Sequence, residues 1–355
     1  MTSIAATSTS TSTSTSTSTS AATGSAPDST TSAAILPLDA ATYVRHPLHD
    51  DARDWAATNC YVDLWIELLH GLGLDPVAGL ACTLALDFAG DQWTFFKYSL
   101  SDLQLLYGID VQELLVWRPL VEHTAHHVAA GQPLIIEVDA WFLPDTAGTA
   151  YRERHEKTSI AVQAIDVAAR QLGYFHNSGY YVLGGDDFDG IYGTTPVLAP
   201  YVEVVRFDTV ERLDRAELGA RALELARLHF SHRPRVNPFV RYRERVARDT
   251  EWLIGESIET FHIYAFAMMR QCGAGFSTAA SFLRWLSDST TGLDAVAIEL
   301  AASDYDAIAG LAKGMQFSFA RAVQRKRMVD FASTLDEMTA RWDSATSRLA
   351  AVLGA

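Results

Sequence analysis

Apolar residues recur at helical spacing over residues 60–70, with Thr58 or Asn59 placed to cap the first turn and Gly71 and Gly73 placed to stop the last. A second helical pattern covers 110–130 and closes at Gly131 and Pro133. The run "PLIIEVDAWFLP" (133–144) predicts a buried strand, and "TSIAVQAID" (158–166), "VAAR" and "QLGYFHN" (171–177) together predict a β-hairpin. Helices followed by strands and a hairpin specify an α+β domain. Past about Phe207 the period is helical throughout. Ile254, Ile258, Phe261, Ala265 and Met268 form one stripe. Met328, Phe331, Leu335, Met338, Trp342, Ala345, Leu349 and Val352 form another, so this half is expected to be a helical bundle. The expected organisation is a tail over 1–35, an α+β domain over 36–206 and a helical domain over 207–355. No fixed-period repeat and no glycine-rich phosphate loop is present.

The Ser/Thr/Ala-rich opening lacks the apolar content that would offset the entropy of ordering it, which predicts disorder. It also lacks a basic segment followed by an apolar one, and no apolar run is long enough to span a bilayer. A cytoplasmic protein with no membrane partner is expected. The three cysteines, Cys60, Cys82 and Cys272, form no C-x-x-C pair, so neither a disulfide framework nor a structural zinc site is indicated. The net charge of -15 argues against nucleic acid as a partner, because phosphate binding needs a cationic surface. One stretch departs from that balance: "RLHFSHRPRVNPFVRYRERVAR" (227–248) is dense in arginine. It reads either as a solvated helix face or as a docking patch for an acidic partner, with Arg235, Arg241, Arg243 and Arg245 as its candidates.

Cys60 is the candidate nucleophile. A thiol at a helix N-terminus lies at the positive end of the backbone dipole, beside N–H groups that can receive an oxyanion. The competing reading is a small buried hydrophobe, which also serves for Cys82 in "GLACTLALDFAG" and for Cys272 before Gly273. Further along come His155, just before one strand, and Asn177, at the end of the next. Cysteine on a helix, histidine at a strand and a polar residue from the neighbouring strand is the order of a papain-like plan. His176 competes with His155 as base, and Asp166 competes with Asn177 as the residue that orients it.

Two metal readings are weaker. "HTAHH" brings His123, His126 and His127 together on one helix, but a helix C-terminus accounts for them. "ELLH" (67–70) and "ETFH" (259–262) have the Glu-x-x-His spacing of di-iron bundles, yet the first lies outside the helical half. No metal and no protein-bound cofactor is expected.

The segments "TNCYVDLWIELLHGLGLDP", "GDQWTFFK", "YGIDVQELLVWRP", "GQPLIIEVDAWFLPDTAGTAYRERHEKTSI" and "LGYFHNSGYY" resemble an uncharacterised bacterial family. Its members tend to be encoded near carrier proteins and the ligases that load amino acids onto them. Over about 55–205 the chain also resembles the N-terminal domain of butirosin biosynthesis protein H, a papain-like acyltransferase. The resemblance implies Cys60 as nucleophile, His155 as base and Asn177 or Asp166 as orienter. It implies an aminoacyl group moved from the phosphopantetheine thioester of an acyl or peptidyl carrier protein to an amine. Asp139 would bind the substrate amine or close a local hydrogen-bond network, and Asn59, Gln92 and Trp93 are expected beside it as substrate contacts. Trp93, Phe95, Trp141 and Phe142 would exclude water, or else belong to the core. A carrier-binding module with an idle thiol, and a thioester or amide hydrolase of the same fold, are the alternatives.

Overall fold

The protein is described by a computed structural model covering residues 32–193 and 199–354. The disorder expected for the tail falls, for residues 1–31, outside the described residues. Ser32–Ala34 corrects its end: these residues form a strand, β1, paired antiparallel to the last residues of β4. The remaining strands are β2 (Asp110–Glu113), β3 (Leu134–Asp139), β4 (Lys157–Asp166), β5 (Gln171–His176), β6 (Gly179–Gly184) and β7 (Val202–Arg206). They form an antiparallel sheet in the order β2-β7-β3-β4-β5-β6. Because β3 pairs with β4 only as far as Val162, the far end of β4 is left for β1, and Leu36 N–H adds a bond to the Gln163 side chain at 2.8 Å.

Side chains alternate across the sheet, and each face has its own core. Ile135, Ala161, Phe175 and Val205 face the helix α1 (Cys60–Gly71) and share a core with the helical half. Leu134, Ile136, Ile160, Val162 and Tyr174 face the other way, in a core shared with α3 (Leu120–Ala129) and α4 (Asp186–Gly193). A shorter helix, α2 (Leu100–Tyr107), ends at Gly108. There φ is +68°, and an added Cβ would lie 1.9 Å from the Thr209 carbonyl oxygen, so only glycine fits.

Two element boundaries differ from the pattern. The expected helix over 110–130 divides into β2 and α3, because a proline disfavours helical backbone at the residue before it, and Pro119, with ψ 132°, stands immediately before the restarted helix. The strand expected over 133–144 ends at Asp139, whose side chain accepts from Trp141 N–H at 3.0 Å and opens a short 3-10 turn. The hairpin continues into β6 through the two-residue turn Asn177–Ser178, with Asn177 at φ +45°.

The helical half contains α5 (Arg215–Ser231), α6 (Pro238–Gly255), α7 (Ile258–Ala265), α8 (Gln271–Ser289), α9 (Ala295–Arg325) and α10 (Ala332–Leu353). The last three pack as successive hairpins. Met328 is exposed and lies before α10, so the final stripe begins at Phe331. Between α7 and α8, residues 266–270 form a π-turn, and the Ala267 carbonyl accepts from Trp93 N–H at 3.3 Å. The two halves interlock through Trp55. Its indole lies against Gly273 of α8, where a Cβ would come within 2.3 Å, and its N–H reaches the Ala309 carbonyl of α9 at 3.1 Å.

Candidate active site

Cys60 is the first residue of α1 and is half-buried. Asn59, not Thr58, caps the helix: its Oδ1 accepts from Val62 N–H and its Nδ2 donates to the Phe96 carbonyl, both at 3.1 Å. That cap leaves the N–H groups of Cys60 and Tyr61 without partners among the described residues, the arrangement that suits a developing oxyanion. Tyr61 donates to Glu203 of β7 at 2.8 Å, and burial pushes its phenol pKa up. Glu203 is in register with Ile135 of β3, so α1 begins on the face to which Asp139 belongs by alternation, four residues along β3 from the end at Asp139.

At that end of the sheet stands a histidine–carboxylate pair. His155 Nδ1 is 2.5 Å from Asp139 Oδ2, and its ring stacks on Trp141 at 4.6 Å and 13°. Asp139 Oδ1 accepts from the N–H groups of Trp141 and Glu156, so one carboxylate sets the turn, the indole and the imidazole together. His155 Nε2 has no hydrogen bond among the described residues and its side chain is 70% exposed. An imidazole held through Nδ1 and open at Nε2 is arranged to exchange a proton with a reacting group.

His176 occupies the opposite face. Its Nδ1 is 2.6 Å from Asp145, its Nε2 is 2.8 Å from Thr158 Oγ1, and Tyr174 donates to the same Asp145 at 2.6 Å. Thr158 and Tyr174 belong by alternation to the α3 side, which separates His176 from α1 by the thickness of the sheet. His176 is therefore not placed to serve Cys60.

Several expected site residues are committed elsewhere. Asn177 turns the β5–β6 hairpin and its side chain lies 3.4 Å from His176, not beside His155. Asp166 closes the far end of β4, accepting from Ala169 N–H at 2.7 Å; nine residues of extended strand separate it from the end that carries His155. Asp139 takes the orienting position in place of both. Asn59 has both side-chain groups occupied as a cap. Gln92 is exposed in a loop, where its carbonyl accepts from Ala89 N–H. Trp93 is buried in an aromatic cluster with Phe88, Phe239, Tyr242 and Phe276 at 5.1–5.7 Å, which makes it core and not a substrate contact. Phe95 is half-exposed against Phe266, and Phe142 packs under Gly190.

The arginine island is largely neutralised within the chain. Arg241 pairs with Asp87 at 2.5 Å, Arg243 with Asp336, and Arg245 with Asp249 at 2.5 Å; Arg235 is exposed and has no ion pair among the described residues. Neither metal reading is assembled. Glu67 bonds to His49, His70 to the Val44 carbonyl, and Glu259 and His262 are exposed on α7. No cluster of three or more His, Cys, Asp or Glu side chains suited to a metal occurs among the described residues.

A buried network behind Cys60 is absent from the sequence reading. Asp63 accepts from Thr58 N–H at 2.9 Å and Thr58 Oγ1 at 2.6 Å, and lies 3.3 Å from His49 Nε2. Glu67 bonds to His49 Nδ1, to Tyr43 OH at 2.6 Å and to His46 N–H at 3.0 Å. Burial alone would lower the His49 pKa, but hydrogen bonds to Asp63 and Glu67 outweigh it and raise the value to about 9. Burial would likewise raise Glu67, yet its partners hold it below the ordinary carboxylate value. The signal for this network was present: Asp63 and Glu67, spaced i,i+4 inside the apolar run "CYVDLWIELL", are carboxylates that burial would penalise without partners.

The chain matches two family models, the DUF1839 N-terminal domain over residues 44–207 and the DUF1839 C-terminal domain over residues 215–351. A search of curated proteins gave no match. With both domain models matched in order along its length, the chain belongs to the DUF1839 family.

Proposed function

We propose that the protein is a thiol-dependent acyltransferase in which Cys60 is the nucleophile and His155, oriented by Asp139, is the base. The observation that carries this reading is Cys60 at the N-terminus of α1, on the sheet face to which Asp139 belongs by alternation with Ile135. Cys60 Sγ would attack a thioester carbonyl, expelling the carrier thiol, while the N–H groups of Cys60 and Tyr61 receive the oxyanion. An amine would then attack the acyl-enzyme, give its proton to His155 Nε2 and regenerate the Cys60 thiol. A papain-like plan, a phosphopantetheine-borne aminoacyl donor and an amine acceptor are the finer parts of the proposal. Their support is the sequence resemblance quoted above, together with the central helix packed on an antiparallel sheet.

The other two cysteines offer no rival. Burial raises the Cys82 thiol to about 12 and raises Cys272 as well, so neither is poised as a thiolate. Intact-protein mass spectrometry after mixing with an aminoacyl-loaded carrier protein tests the reading. An aminoacyl adduct on wild type and none on Cys60→Ser is the expected result. An unmodified wild type that still binds the carrier would instead favour a binding module with an idle thiol.

A further inference from the structure

The π-turn between α7 and α8 delivers one side chain to the loop that carries the nucleophile. Arg270 Nε donates to the Thr58 carbonyl at 3.2 Å, two residues before Cys60. Nε makes the only side-chain hydrogen bond of Arg270 among the described residues; both terminal nitrogens lack a partner, and neither is sealed from solvent. Among the described residues, no carboxylate is within ion-pair reach of the guanidinium. The nearest acid that acts on it, Asp63, is already engaged by Thr58 and His49. Several arginines that also touch neighbouring elements are paired through their terminal nitrogens. Arg53, bound to the same helix, uses a terminal nitrogen on the Ser277 and Ser281 hydroxyls, and Arg241, Arg243, Arg245 and Arg284 all face carboxylates.

The surroundings reinforce the charge. Lys313 of α9 donates to the Asp54 carbonyl at 2.6 Å, lies over the Trp55 ring, and is close enough for its charge to act on Arg270's. Lys97 lies 5.9 Å over the Tyr61 ring on the other flank of the loop. Phe266 lies under the Arg270 guanidinium at 5.5 Å and contacts Phe95, giving the cation an apolar base. A half-buried guanidinium with open terminal donors is costly to leave unpaired, and its planar fork matches a carboxylate or a phosphate. Three cations, Arg270, Lys313 and Lys97, thus lie against residues 54–61 of a chain whose net charge is -15.

We propose that Arg270 is a substrate-binding residue that holds an oxyanion, a carboxylate or a phosphate, on the molecule that reacts at Cys60. The inference rests on Cys60 being the reacting residue and adds to that reading the charge of its substrate. It also gives the helical domain a part in the site, since Arg270 comes from that half while Cys60 comes from the other.

The test compares an anionic with a neutral alkylating reagent on the full-length protein. Iodoacetate and iodoacetamide both form a thioether at Sγ and release iodide, and their rates are read on the peptide that contains Cys60. Wild type should prefer iodoacetate relative to Arg270→Gln by about fivefold, the size expected of a partly exposed ion pair. Arg270→Lys should retain most of the preference, which guards against a general loss of fold in the glutamine variant. Inorganic phosphate and acetate, added separately as competitors, should protect Cys60 in wild type only, and the better protector identifies the phosphate or the carboxylate as the group recognised. Equal reagent ratios in wild type and Arg270→Gln, or no protection by either anion, would overturn the proposal. Alkylation needs no acyl donor, so a Cys60 that shows the preference yet never accepts an acyl group would sink the acyltransferase reading and leave the anion site standing.

Discussion

Two histidine–carboxylate pairs lie on opposite faces of one sheet, and they differ in what is left over. His176 and Asp145 are 1% and 2% exposed, and every polar atom of the imidazole is engaged. His155 and Asp139 are 70% and 34% exposed, and Nε2 is open. The first pair has nowhere to send a proton and works as a cross-brace between β4, β5 and the turn at Asp145. The second has its orientation fixed from one side and its chemistry available on the other. Adjacency to a carboxylate therefore does not by itself single out a base; the proposed base is distinguished by an unoccupied nitrogen on the face that carries Cys60.

The sharpest way to break this comparison is to remove each histidine in turn. His155→Ala should lower turnover about 10²- to 10⁴-fold, the range for losing a positioned general base, with little change in thermal stability. Steady-state acyl transfer and a melting curve on the same sample check both halves of the statement. His176→Ala should show the reverse, costing about 3 kcal/mol of stability by leaving Asp145 buried beside a cavity, while the molecules that remain folded keep their activity. Denaturant titration with activity measured per folded fraction decides it.

The network behind Cys60 sharpens the comparison through pH. His49 is raised from its ordinary value of 6.5 to about 9, so its contribution is fully present below about pH 6.5 and is lost as pH rises through about 9. Glu67 is shifted the opposite way, so its contribution is lost as pH falls below the usual carboxylate range. The alkaline loss should be on the order of 2 to 3 kcal/mol and should flatten in His49→Gln. Melting temperatures from pH 6 to pH 10 for both proteins would show it; parallel curves would remove His49 from the account.

What could be read from the sequence divides along local and non-local lines. The α1 start at Cys60, the β4–β5 hairpin and the helical half are written in capping residues, turns and periodicity, all signals within a few residues. Asp139 and His155 could be picked out individually, but their pairing depends on the β3–β4 register, which brings Asp139 opposite Lys157. The sheet face of His176 was legible only once the pairing of β5 with β4 was known, because one residue of slip exchanges the faces. Trp93 looked like a cleft aromatic because three of the four rings that bury it, Phe239, Tyr242 and Phe276, come from the distant helices α6 and α8. Arg270 lay hidden for the same reason: nothing near it in sequence points to Thr58, more than two hundred residues earlier.

The most direct measurement of the central claim is the single-turnover rate at which Cys60 takes up an acyl group from a loaded carrier. It should be followed by intact mass in wild type, His155→Ala and His176→Ala, each shown to be folded. The account predicts acylation and transfer in wild type and the His176 variant, and a loss of at least about a hundredfold in the His155 variant. A His155 variant that reacts at the wild-type rate, beside a folded His176 variant that does not, would place the working base on the other face of the sheet and contradict the assignment.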